Sequence, residues 1–154
     1  MSYSFFLPVA TISSSTVPVD DGTRDLFGYD ILFKDGKLPL TTGGDYIRVG
    51  GKDNLRAAIY RRLITRPGEF RFRPSYGVGV QTFVKKAAST STLDALQQRI
   101  IEQLTQDARI TEVQVNAEMI DITGGQALRV HVQVSARGEK ISFEPFTFSE
   151  EAAK

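Results

Sequence analysis

Two stretches of the chain repeat their apolar residues at helical spacing. From Asn54 to Thr65, Leu55, Ala57, Ile59, Tyr60, Leu63 and Ile64 cover a broad apolar arc, leaving Arg61, Arg62 and Thr65 on the remainder. The pattern predicts a helix buried on most sides, with a narrow arginine ridge and Asp53 or Asn54 as its N-cap. Arg56 falls inside the apolar arc near the start, where its stem can reach outward. A second helix is predicted from Thr92 to Asp107, with Ser91 and Asp94 as a short capping box. Leu93, Leu96, Ile100, Ile101 and Leu104 form its stripe, and Gln98, Arg99, Glu102 and Gln106 its polar side.

Elsewhere the period is two. Tyr29 to Phe33 and Tyr46 to Val49 read as short strands, the first ended by Asp35-Gly36. Pro67-Gly68 ends the first helix as a type II turn. Phe70, Arg71, Phe72 and Arg73 then alternate, which predicts an extended run with both phenylalanines toward the core and both arginines away. Pro74 ends it, and Tyr76 to Gly79 makes a second bend. Past the second helix, Val113, Val115, Ala117 and Met119 alternate with Gln114, Asn116 and Glu118. After Gly124-Gly125, Leu128, Val130, Val132 and Val134 alternate with Arg129, His131, Gln133 and Ser135. After Arg137-Gly138, Ile141 and Phe143 lose phase at Pro145, and Phe146 and Phe148 resume it, which implies a bulge or an edge. The fold class is α+β: an antiparallel β-meander packed against two main helices. The expected layout is an extended N-terminal arm over 1–28, one domain over 29–149 and a tail over 150–154.

Composition narrows the chemistry. The 154 residues include no cysteine and one histidine, which removes thiolate chemistry and multi-histidine metal cages. No apolar run is long enough to span a bilayer, and Phe5-Phe6-Leu7, broken by Pro8, makes a poor signal peptide. A soluble protein of a reducing compartment is expected. His131 stands on a polar strand face with no partner in sequence, and Glu69 beside arginines has its charged form favoured, the reverse of a general acid. Gly50-Gly51-Lys52 lacks the spacing of a phosphate loop. No catalytic residue, cofactor or metal ligand is assigned, and no enzyme activity is expected.

Charge is unevenly placed. Arg48 to Arg73 holds eight basic residues and two acidic ones, so it carries +6 and the rest of the chain −5. Such separation suits a docking surface, against the plainer reading of arginines facing water. A nucleic-acid-binding domain using Arg48–Arg73 is the alternative; expected burial of Phe70 and Phe72 argues against it.

The ordered combination of three segments resembles a known family. These are Asn54-Leu55-Arg56-Ala57-Ala58-Ile59, then Leu63-Ile64-Thr65-Arg66-Pro67-Gly68-Glu69-Phe70, then Pro74-Ser75-Tyr76-Gly77-Val78-Gly79-Val80. It looks like the small baseplate wedge and sheath-initiator proteins of contractile phage tails, historically called tail-lysozyme-like, with relatives in type VI secretion. Asp107-Ala108-Arg109-Ile110-Thr111-Glu112-Val113 extends the likeness, which runs from about Tyr46 to Phe148. The family's charged turn maps onto Arg66, Pro67, Gly68 and Glu69. The family commonly has arginine directly after that glutamate; this chain has Phe70, with Arg71 one place on, so either Arg71 takes the role or the ionic part is weakened.

The resemblance implies a structural protein of the virion tail baseplate, assembled in the host cytoplasm. It would be present in several copies in a sixfold-symmetric ring, without nucleic-acid or membrane partners. Its implied partners are the tail sheath protein, baseplate wedge proteins and tail tube or hub proteins. Arg61, Arg62, Arg66, Pro67, Gly68, Glu69, Arg71 and Arg73 are the expected docking residues. Ile141, Phe143, Pro145, Phe146 and Phe148 mark the segment expected to exchange strands with the sheath.

Overall fold

The computed structural model describes residues 27–32, 37–84 and 89–149. Most of the expected arm, and the expected tail, lie outside the described residues. The described residues fall into two compact units, one made of those up to Ala57 and the other of those from Ala58 to Ser149.

In the first unit, β1 (Tyr29–Ile31) pairs antiparallel with β2 (Arg48–Gly50), Tyr29 opposite Gly50 and Ile31 opposite Arg48. Leu40 bridges Tyr46, and the Leu32 N–H donates to the Ile47 carbonyl at 2.8 Å. Helix α1 (Gly51–Ile64) begins three residues before the sequence pattern predicts. Its first turn is polar, so apolar periodicity does not register it. Asp53 lies within that turn, where the helix dipole favours a carboxylate, instead of capping it from outside. Asn54 turns inward and donates from its side chain to the carbonyl of buried Phe27 at 2.9 Å.

The second unit holds the later part of α1, α2 (Gln81–Val84), α3 (Thr90–Leu104), β3 (Ile110–Ile122), β4 (Gly125–Ala136), β5 (Glu139–Ser142) and β6 (Phe146–Ser149). Helix α3 starts and ends earlier than its pattern suggests. Ser89 is the N-cap, accepting from the Thr92 N–H, because the serine-threonine run offers several equivalent caps and this one also binds the Thr92 hydroxyl at 2.8 Å. At the other end, the chain leaves the helix after Leu104 and turns into β3, with Arg109 gripping Asp107 at 2.6 Å.

The sheet is an antiparallel meander with β4 at its centre. β3 lies on one side, Val115 opposite Val132 and Ala117 opposite Val130. On the other side β5 and β6 share β4's length, β5 facing 133–136 and β6 facing 127–130. Their registers differ by one residue: Ser142 pairs with Gln133, whereas Phe146 pairs with Val130. The surplus residue is taken up around Pro145, the bulge that the phase change foretold. Through it Ile141, Phe146 and Phe148 are all buried despite their mixed parity.

Leu128, Val130, Val132 and Val134 of β4 form the inner face, with α3 packed on β3. Leu96, Ile100 and Leu104 are buried on α3, as are Ile59 and Leu63 on α1. Each such side chain contributes about 1.5–3 kcal/mol by leaving water. Tyr60 of α1 stacks on Phe146 and Phe148, ring centroids 6.1 and 6.3 Å apart. Burial pushes its hydroxyl up to about 12. Among the described residues no helix is long and apolar enough to cross a membrane.

Candidate docking surface

The loop after α1 is a folded unit. At the Pro67-Gly68 turn the Glu69 N–H donates to the Arg66 carbonyl at 3.1 Å, with Gly68 at φ +83°, the geometry of the expected type II turn. Glu69 then closes it from the other side, its Oε2 accepting the Arg66 N–H at 2.9 Å. The Gly68 N–H donates to the Pro74 carbonyl at 2.7 Å, which ties the two ends of the excursion together.

Between those ends the structure corrects the sequence reading. Residues 70–73 form a turn, the Arg73 N–H donating to the Phe70 carbonyl at 3.1 Å, and the Tyr76 N–H to the Arg73 carbonyl at 3.0 Å. Alternation implies a strand only where a ladder partner exists, and here the chain bonds to itself instead. The two phenylalanines therefore do not enter the core. Phe70 is half exposed, edge-on to Tyr76 at 5.5 Å, and Phe72 is 92% exposed. Their expected burial, the ground for setting aside nucleic acid, is removed.

Beneath the loop lies a polar clamp that sequence reasoning missed. Buried Gln103 of α3 donates through Nε2 to the Ser75 carbonyl at 3.0 Å and accepts the Gly77 N–H on Oε1 at 2.8 Å. Arg62 donates to the Gln103 carbonyl at 2.9 Å and lies 4.6 Å over the Tyr76 ring. Arg99 donates to the Gly77 carbonyl at 3.2 Å. The signal was present: Gln103 follows Leu96 by two helical turns, so it interrupts the apolar stripe, and a buried amide needs partners at both ends.

The expected docking residues thus separate. Arg62 is half-buried and occupied within the fold, and Arg61 is half-buried. Arg66, Arg71 and Arg73 are exposed on the loop, and among the described residues no carboxylate lies within ion-pairing distance of them. Arg71 lies 5.9 Å from the Phe72 ring. Glu69 is engaged with the Arg66 backbone and makes no ion pair with Arg71 among the described residues.

Of the residues marking the C-terminal segment, Ile141, Phe146 and Phe148 point into the core, while Phe143 and Pro145 are half-buried. Lys140, Ser142 and Thr147 are exposed along it. The Phe143 N–H donates to Val132 at 3.2 Å. Antiparallel alternation then turns the N–H groups of Ile141, Phe146 and Phe148 toward β4 and those of Lys140, Ser142, Thr147 and Ser149 away. His131 lies on the polar sheet face, 3.5 Å from Glu118, which also sits 3.6 Å from Arg129.

Fold and loop together define an α+β domain carrying a hydrogen-bonded basic-aromatic loop and a sheet whose strands β3, β5 and β6 are paired on one side only among the described residues. The chain belongs to the contractile injection system sheath initiator family, whose model it matches over residues 27–137. It is similar in fold to a chain of the sixfold-symmetrised baseplate of the anti-feeding prophage. That likeness has 20% identity and a TM-score of 0.59, covering 77% of this chain and 92% of that one. It is also similar to a Geobacter sulfurreducens protein provisionally assigned as a tail lysozyme, at 22% identity and a TM-score of 0.52, covering 74% and 98%. No curated protein sequence matches it significantly.

Proposed function

We propose that the chain is a non-enzymatic baseplate protein of a contractile tail. In this reading it docks to wedge proteins around the tube and starts the sheath by accepting or donating a strand. Several copies form a sixfold ring with tube or hub proteins, in a particle assembled in the host cytoplasm. Membership of the sheath-initiator family and the likeness to a baseplate chain support the setting. The observation that carries the mechanism is the β5–β6 edge. Among the described residues neither strand has a second strand partner. The shift at Pro145 keeps Ser142 and Thr147 on the outward-facing set of N–H groups in both halves. Such an edge is hazardous in an isolated protein and suited to strand addition. Helix α2 lies against β6, yet Thr147 remains exposed.

Four outward N–H groups at a net of about 0.5–1.5 kcal/mol each contribute several kcal/mol per subunit, and a ring multiplies that by valency. Proline at Ser142 or Thr147 removes an outward donor without touching the ladder to β4. Each variant is expected to enter baseplates normally but to give particles without sheath. Sheaths of normal length on either variant would show that the sheath starts elsewhere.

A further inference from the structure

We infer that Phe72 is the anchor of the docking loop, seated in an apolar socket on an acidic protein surface. This rests on the reading that the loop docks to another baseplate protein, and it names the chemistry of that partner's site. Phe72 is 92% exposed, far beyond any other large apolar residue among those described, and it contributes nothing to the core. The backbone that carries it is closed by the Gly68–Pro74 hydrogen bond and the 70–73 turn.

An exposed ring on a loop that is already ordered binds without paying to order that loop. Aromatic and arginine side chains at the centre of an interface are the ones that dominate its energy. Here the ring is accompanied by Arg66, Arg71 and Arg73, which have no carboxylate partner among the described residues, while the loop's own Glu69 is held on the Arg66 backbone. The complement of that arrangement is an apolar pocket rimmed with carboxylates. A single-stranded nucleic acid is the poorer complement. Base-stacking surfaces present several rings along a groove. Here Phe70 is packed edge-on against Tyr76, and one fully exposed ring remains on a tight turn.

The test uses particles assembled with variant chains in place of the native one. Phe72→Ala should leave the melting temperature of the free protein unchanged and lower its incorporation into baseplates at least about tenfold. Phe72→p-benzoylphenylalanine, irradiated in the assembled particle, should cross-link to an acid-rich segment of a different baseplate protein. Normal incorporation of F72A, beside loss of the Arg66→Glu/Arg71→Glu double variant, overturns the anchor while the docking reading stands. Normal incorporation of both overturns the docking reading and the anchor with it. Cross-links to nucleic acid or to a second copy of the chain overturn the proposed partner.

Discussion

At the scale of single residues, one glycine of the loop leaves no room for a methyl group and another does. A Cβ on Gly77 would collide with the Thr65 carbonyl oxygen, at φ +100°. Gly68 has the same left-handed need, φ +83°, but nothing lies within 4 Å of the position its Cβ would take. The two alanine variants should therefore separate. Gly68→Ala is expected to cost about 1 kcal/mol, the strain of the backbone alone. Gly77→Ala should exceed it by at least about 2 kcal/mol, because backbone must move as well. Urea unfolding midpoints measure both, and equal losses would contradict the close approach of Gly77 to the Thr65 carbonyl. The turn residues were legible because Pro-Gly dictates a turn type whatever surrounds it. Gln103 was passed over because its partners, Ser75 and Gly77, sit a full loop away in sequence.

At the scale of elements, patterns were readable wherever burial repeats along the element. The alternation of Leu128 to Val134 translates directly into the buried face of β4, and the phase change at Pro145 into a one-residue register shift. Residues 70–73 carry the same alternation without the fold, since nothing in the sequence states that no neighbouring strand exists. Helix ends were misplaced where polar residues could stand either inside or outside the first turn.

The contact of α1 with β6 has a measurable consequence in Tyr60. Its hydroxyl is pushed up from 10.0 to about 12 by burial, so the folded state favours the neutral ring. That contribution is whole below pH 10 and is lost as pH rises toward 12, because the unfolded chain ionises first. Tyr60→Phe removes this dependence. Its urea midpoint should fall less steeply than the native protein's between pH 10 and 12. Parallel curves would mean that Tyr60 is not packed on Phe146 and Phe148 as described.

At the scale of the whole molecule, the family was legible in the sequence as an order of motifs, helix then Pro-Gly turn then Tyr-Gly bend, and the family model matches over residues 27–137. What the order could not convey is how the charge is used. The +6 segment divides in three dimensions: Arg62 is bound within the fold, while Arg66, Arg71 and Arg73 face outward with Phe72. The molecule so described has a hydrogen-bonded basic-aromatic loop, proposed to dock to the baseplate, and a sheet edge unpaired among the described residues, proposed to start the sheath.

The most direct measurement is a cryo-EM reconstruction of the particle's baseplate and first sheath ring, at a resolution that traces strands. The expected result is this chain between wedge and sheath, with a sheath strand hydrogen-bonded to Lys140–Ser149 through Ser142 and Thr147. A first sheath ring whose strands pair with the Ile110–Ile122 edge, or with another protein altogether, would contradict the account.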